Sequence, residues 1–265
     1  MIDLHLHTQF SFDSDEKPEN YIRLAQSKGV PVIGFSEHYD YDAYLDGADI
    51  ALADIKSYLN YVKKLNDNSN NLEILFGIEF GYSQGAAKEY KNLAQIYPFD
   101  YIINSVHTLP ERGDCYYDTF FNGKTIEESY NDYFKAVLES VRADFDYQIV
   151  GHLGYVSRYR TGEGAQILYK NYAEIIDEIL KEIIKRDKCL EINSSTGSSG
   201  SEFLPDYDII KRYVQLGGSK LSFGSDAHSA EKYLNKSDKL KDFLKSIGVS
   251  TMYYYKNRRP IGYKI

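Results

Sequence analysis

Six histidines lie between positions 5 and 228, and each falls where a short apolar run gives out. His5 and His7 close the first run and His38 the second. His107 and His152 sit at the ends of the fourth and fifth. The third run reaches Glu79, and the seventh is followed by Asp226 and His228. Neutral imidazoles mixed with carboxylates form the donor set that holds divalent transition-metal ions such as zinc. A lone buried histidine is more often a hydrogen-bonded core residue, and one HxH pair is a weak signal. Here HxH, EH, GIE, SVH, GH and SDAH recur at one run end after another, which favours a metal site over a packing role.

Something must bring residues so far apart together. The runs read as strands over 2–7, 32–38, 72–80, 101–107, 147–152, 189–193 and 220–225. Helical patterns separate them over 18–28, 49–65, 86–96, 126–142, 167–185, 206–215 and 236–246. Pro18 and Glu19 suit a first helical turn, and Gly29 and Gly217 suit C-terminal caps. Seven β-then-α units predict a parallel sheet closed into a seven-stranded α/β barrel related to the TIM barrel, with an open doubly wound sheet as the structural alternative. In a parallel barrel the C-terminal strand ends share one rim, so scattered histidines converge there. Side chains two apart on a strand share a side. Asp3, His5 and His7 are therefore expected to point inward and Ile2, Leu4 and Leu6 towards the helices. Asp226 and His228 repeat the spacing. The irregular stretches 109–124, 154–166 and 194–205 each follow a strand, where a barrel keeps its substrate contacts. The end of the chain, with Tyr253 and the Arg258-Arg259 pair, reads as a final strand or a tail.

Composition narrows the partners. The 265 residues suit one domain spanning 1–265, with a core rich in tyrosine and phenylalanine. A formal net charge of -8 argues against a nucleic-acid surface, which normally carries a basic stripe. It leaves room for a small anion held by two or three arginines. Cys115 and Cys189 have neither metal-ligand nor disulfide-framework spacing. No basic-then-apolar leader opens the sequence, and no run approaches the roughly 18 apolar residues of a membrane span. A cytoplasmic protein without membrane contacts is expected. The pattern carries no signal for an oligomeric state.

As a set, His5-Leu6-His7-Thr8, Ser36-Glu37-His38, Gly77-Ile78-Glu79, Ser105-Val106-His107, Gly151-His152 and Ser225-Asp226-Ala227-His228 resemble the Polymerase and Histidinol Phosphatase (PHP) superfamily. They run in family order and span nearly the whole chain. The resemblance implies a distorted seven-stranded barrel and a trinuclear metal centre. Carried over, one ion takes His5, His7, Glu79 and Asp226. A second shares Glu79 and adds His107 and His152. The third takes His38 and His228 with a ligand from the loop after the first strand, where some relatives have histidine. Here the matching residue is Asp13, with Asp15 as local competitor. Zinc, iron and manganese all accept such ligands, with zinc favoured.

Within that family the sequence looks most like the histidinol-phosphate phosphatases, through FSEHYDYD, YYDTFFNGKTIEESYNDYF and GHLGYVSRYR. The implied activity is metal-dependent hydrolysis of L-histidinol phosphate in histidine biosynthesis, with water activated between ions bridged by Glu79. Arg158 and Arg160 follow the fifth strand and are candidates to bind phosphate, Arg160 being preferred; a surface pair of arginines is the bland alternative. Asp226 is the candidate proton relay, with His228 beside it in the catalytic set. EINSSTGSS offers serines where a further phosphate-binding cation would be expected. Tyr117, Ser195 and Asp206 are candidate contacts for the amine and imidazole, with Glu111 and Asp114 on the same rim. Glu191 and Asn193 face one side of their strand. Rival expectations are a phosphatase for nucleotides or phosphotyrosine, and a non-catalytic metal-binding domain on the same scaffold.

Overall fold

Apolar runs flanked by amphipathic segments pair side by side and bury one helical face each. A computed structural model describes residues 1–41, 51–69, 71–110 and 112–265. The strands are β1 (Val32–Asp40), β2 (Ala51–Leu52), β3 (Glu73–Gly81), β4 (Tyr101–Ser105), β5 (Thr108–Leu109), β6 (Gly113–Asp114), β7 (Ile149–Val150), β8 (Cys189–Asn193), β9 (Leu221–Gly224), β10 (Thr251–Lys256) and β11 (Arg259–Lys264). The helices are α1 (Pro18–Ser27), α2 (Ile55–Asp67), α3 (Ala87–Ile96), α4 (Ile126–Arg142), α5 (Ala173–Lys185), α6 (Tyr207–Gln215) and α7 (Ser237–Ser246). β1, β3, β4, β7, β8 and β9 pair in parallel in that order, and β2 runs antiparallel beside β1.

Residues 3–7 join the two ends of this sheet. On one flank Leu4 N donates to Phe223 O at 3.1 Å and His7 N to Ala227 O at 3.0 Å. On the other, Gly34 N and Ser36 N donate to the carbonyls of Asp3 and Leu6 at 2.9 and 3.0 Å. The result is the distorted, seven-membered α/β barrel that the sequence predicts. The expected regular first strand is corrected, however: only Leu6 forms a bridge, to Ala227. His5 N turns instead to the Asp3 carboxylate at 3.3 Å, which breaks the pleat. The inward and outward alternation breaks with it. Ile2 and Leu4 join the inner cluster of Leu75, Tyr101 and Ile103, while Leu6 joins the outer core. The Asp3 carboxylate accepts from Ser225 N and Leu234 N rather than lying beside His5 and His7.

That inner cluster forms the barrel floor. Gly34 and Gly77 leave space for the Tyr101 ring, whose hydroxyl donates to Leu4 O at 2.6 Å. Above it the inward positions turn polar, with Ser36, Glu79 and Ser105 all buried.

Most predicted helices begin and end within a residue or two of the observed ones. α2 starts later than expected, capped by Asp54, whose carboxylate accepts from Ser57 N; the part of the predicted helix before 51 lies outside the described residues. α5 starts at Ala173, after a 3-10 turn over Tyr169–Asn171. The fifth strand shortens to Ile149–Val150, so His152 sits in the turn beyond it. The end of the chain is neither lone strand nor tail: β10 and β11 form an antiparallel hairpin, and the Tyr263 hydroxyl accepts from Ile2 N at 3.2 Å. No helix among the described residues is long and apolar enough to cross a membrane.

Candidate metal centre

Glu79, carried to the rim by β3, is the hub. Its Oε2 lies 3.2 Å from His5 Nε2, 3.6 Å from His7 Nε2 and 3.1 Å from His38 Nδ1. Its Oε1 lies 2.8 Å from His152 Nε2 and 3.3 Å from His107 Nε2. Asp226 approaches from the opposite side, with Oδ1 3.3 Å from His7 Nε2 and 3.8 Å from His5 Nε2. Asp226 has a φ of 52°, a left-handed backbone that aspartate adopts more readily than most residues. At the mouth, Asp13 Oδ2 stands 3.0 Å from His228 Nε2 and 3.6 Å from His38 Nε2. The structure thus gathers all nine residues put forward as metal ligands. Asp15 lines a separate, more exposed hollow with Glu16 and Glu19.

Carboxylates behind the imidazoles fix which nitrogen faces the centre. His5 Nδ1 donates to Glu191 Oε1 at 2.6 Å, and His107 Nδ1 donates to Asp40 Oδ1 at 2.6 Å. With Nδ1 committed to these carboxylates, Nε2 of each ring is the atom that faces Glu79 and is placed to ligate an ion. Two glycines make the approaches possible. A Cβ on Gly224 would overlap the Glu191 carboxylate, and one on Gly81 would overlap Asp40. The sequence puts Glu191 and Asn193 on one side of their strand without giving Glu191 this role, and does not assign Asp40. The two-residue offset of Asp40 from His38 on β1 was the available signal.

The electrostatics match a cation site. Burial opposes the charge on Glu79, yet His5, His107 and His38 hold its carboxyl well below the usual range. Burial likewise works against Asp226, but Arg158 and His5 hold it well down. Burial, with His38 and His228 close by, pushes His7 down to about 3 and keeps it neutral. The buried Nε2 atoms of His5 and His7, Nδ1 of His38 and Oε2 of Glu79 have no hydrogen-bond partner among the described residues. Buried polar atoms in a protein interior normally do. Four overlapping triads built from His5, His7, His38, Glu79, His107, His152, Asp226 and His228 have ligand atoms within 4.8 Å of one another. So many ligand atoms this close together, around buried carboxylates held ionised, fit divalent cations.

The cavity beside the centre is bounded by Phe12, Asp114, Tyr155, Arg158 and Tyr159. A 3-10 turn, Tyr155–Ser157, directs Arg158 inward, where its Nη2 donates to Asp226 Oδ2 at 2.5 Å and its guanidinium lies 4.8 Å over the Tyr155 ring. Arg160, the arginine preferred from sequence, does not line this cavity. It donates to Asp118 Oδ1 at 2.6 Å and stacks on Phe121. Tyr117 lies further out, in an aromatic hollow with Tyr116, Tyr159 and Asp114. Ser195 and Asp206 are absent from both walls. Ser195 N donates to Asn193, and the Asp206 carboxylate caps α6 and accepts from Gln166. Glu111 lies outside the described residues. Asp114 is buried where the two hollows meet, and burial raises its pKa.

Comparison with known proteins agrees with this geometry. The PHP domain family model matches residues 3–195. The histidinol-phosphatase of Lactococcus lactis subsp. lactis is 30% identical over 251 residues, covering 93% of this chain and 91% of that protein. A protein named probable histidinol-phosphatase from Clostridium acetobutylicum is 32% identical, covering 86% of each. Among solved structures, the Lactococcus lactis histidinol phosphate phosphatase complexed with zinc, L-histidinol and phosphate superposes with a TM-score of 0.88 at 28% identity, covering 98% of both chains. A family match running from Asp3 through β8, over a barrel whose rim gathers the motif residues, leaves one assignment: the chain belongs to the PHP domain family.

Proposed function

We propose that this protein is a metal-dependent phosphomonoesterase that hydrolyses L-histidinol phosphate to L-histidinol and phosphate. The observation that carries the reading is the full-length likeness to the Lactococcus lactis enzyme complexed with zinc, L-histidinol and phosphate. Three divalent ions, zinc for preference, are assigned to the centre. His5, His7, Glu79 and Asp226 hold the first; Glu79, His107 and His152 the second; Asp13, His38 and His228 the third. The distances around Glu79 and Asp13 support that division. When bound, the ions supply Lewis acidity and a water of lowered pKa.

The chain's own groups account for the rest. Hydrolysis joins a water oxygen to phosphorus, breaks the ester P–O bond and delivers a proton to the leaving alkoxide. Arg158, buried and facing the cavity, is assigned to the non-bridging phosphate oxygens, where a guanidinium can give two parallel hydrogen bonds. Asp226 orients Arg158 through Oδ2 and, through Oδ1, is the candidate to take and pass on the proton. His228 at the mouth completes that set, its Nδ1 3.8 Å from the same oxygen. Arg160 supports the wall from behind, through Phe121 and Asp118, rather than meeting phosphate.

The aromatic hollow suits the rest of histidinol. Phe12, Tyr155 and Tyr159 offer faces for an imidazole, and Asp114 offers a carboxylate to the amine. Tyr117 stands at the outer edge of the same hollow. Cys115 and Cys189 are free and buried, in keeping with a protein working in the cytoplasm.

The deciding experiment is phosphate release from L-histidinol phosphate by metal-reconstituted protein, beside a chelated control and a panel of phosphomonoesters. Fast, selective and chelator-sensitive release is expected. Preference for a nucleotide or phosphotyrosine would discard the substrate and keep the centre. Metal binding without turnover of any ester would favour a non-catalytic domain.

A further inference from the structure

Glu37 is a buried carboxylate that the proposed reaction does not use. It sits on β1 between Ser36 and the ligand candidate His38, but its oxygens engage the loop after the first barrel segment. Thr8 N donates to Oε2 at 3.0 Å, the Thr8 hydroxyl to Oε1 at 2.6 Å and the Ser11 hydroxyl to Oε2 at 2.6 Å. Three donors thus converge on two oxygens.

Ser11 carries the connection onward. A serine hydroxyl has one proton and two lone pairs. Its proton is directed at Glu37, so its lone pairs are left to accept. One receives the backbone N–H of His38 at 3.1 Å. The other faces His7 Nδ1 at 3.2 Å, and with the Ser11 proton already committed that nitrogen must be the donor. A proton on Nδ1 leaves a lone pair on Nε2, the atom that looks towards Asp226 Oδ1 at 3.3 Å and Glu79 Oε2 at 3.6 Å.

We propose that Glu37 is a positioning residue for the metal centre: through the Ser11 hydroxyl it fixes the proton of His7 on Nδ1 and turns Nε2 to the cations. His5 and His107 receive this service directly, from Glu191 and Asp40. Among the described residues no carboxylate meets His7 Nδ1, and the serine relay stands in that place. The proposal rests on the metal-centre reading given above. It adds that an outward-facing carboxylate and a loop serine help set zinc affinity.

The test uses zinc-loaded, 15N-histidine-labelled protein. In the wild type a slowly exchanging proton on His7 Nδ1 is expected; its absence overturns the proposal whatever the variants do. Ser11→Ala should lose that signal and bind zinc about 10- to 100-fold more weakly in chelator competition, the usual cost of removing an outer hydrogen-bond partner of a ligand. Thr8→Val removes another of Glu37's bonds but leaves the relay, so the His7 signal should persist and show that loosening the loop is not the cause. Unchanged zinc affinity and an unchanged ring signal in Ser11→Ala overturn the relay alone. Wild-type protein that holds no divalent ion removes the metal reading itself, and the relay with it.

Discussion

Glu191 ties His5 to His152. One carboxylate oxygen accepts His5 Nδ1–H at 2.6 Å, and the other accepts the backbone N–H of His152 at 2.7 Å. A single buried side chain therefore orients two ligand candidates assigned to different ions. Glu191→Ala should weaken zinc retention about 10- to 100-fold and lower turnover in parallel. Metal analysis after dialysis against a chelator checks it. Full metal content in an inactive variant would move Glu191 from positioning to chemistry.

The two arginines separate the rival phosphate contacts. Arg158→Lys keeps the charge but loses the two-pronged donor, and kcat/KM for L-histidinol phosphate is expected to fall about 100-fold with metal content held. Arg160→Ala should cost less than about 10-fold, because its guanidinium spends its hydrogen bond on Asp118. Steady-state kinetics of both variants, with metal analysis alongside, decide the matter. A larger loss in Arg160→Ala would return phosphate binding to that residue.

Why these arginines exchange roles shows what a sequence can carry. The spacing of His5 and His7 marks the site because both remain at the rim despite the broken pleat. Glu79, His107, His152 and the Asp226–His228 pair follow from strand ends, which barrel topology brings onto one rim. Arg158 and Arg160 lie on a loop, and their directions depend on the Tyr155–Ser157 turn and on Phe121, a contact far along the chain. Pattern alone does not record either. Asp206 illustrates the same limit: its place at the start of a helical pattern was legible, but its carboxylate serves that helix as a cap. Asp3 failed for a different reason, because its side chain captured the His5 N–H and broke the alternation that the argument assumed.

Asp114 should govern which phosphate ester is accepted. It is buried where the metal-side cavity meets the aromatic hollow, and it accepts the Tyr116 N–H at 2.7 Å. Asp114→Asn is expected to lower kcat/KM for L-histidinol phosphate by roughly 10- to 100-fold, mostly through KM. An aryl phosphate whose organic group carries no amine should be turned over nearly as before. Equal losses on both esters would show that Asp114 supports the centre rather than the substrate amine.

Removing the ions should cost stability as well as activity. Six imidazoles and their carboxylates are packed at one rim, several with ligand atoms that no donor among the described residues meets. An ion that binds only the folded chain stabilises it by about 2.7 kcal/mol at one hundred times its Kd. For a chain of this size that amounts to roughly 5–10 °C in Tm. Calorimetry with and without chelator, followed by zinc addition, should show a reversible shift. Activity lost with no change in Tm would place the needed ion at an exposed position, such as the Asp13 and His228 side of the mouth.

The terminal hairpin offers a test of fold alone. Arg258, at the turn between β10 and β11, donates from Nε to Phe99 O at 3.4 Å and from Nη2 to Ala94 O and to Tyr97 O, the latter at 3.0 Å. Its Nη1 meets Asp146 Oδ2 at 2.8 Å. The guanidinium therefore caps carbonyls at the end of α3 and fastens the hairpin beneath the barrel floor, at the opposite end from the metal rim. Truncation leaves those half-buried carbonyls without a donor, which costs about 1–3 kcal/mol. Arg258→Ala should lower Tm by several degrees, while kcat and KM measured well below the new midpoint stay near wild type. If turnover fell without a loss of stability, the hairpin would be coupled to the centre through Tyr263 and Ile2, and the floor of the barrel would have to be counted as part of the catalytic apparatus.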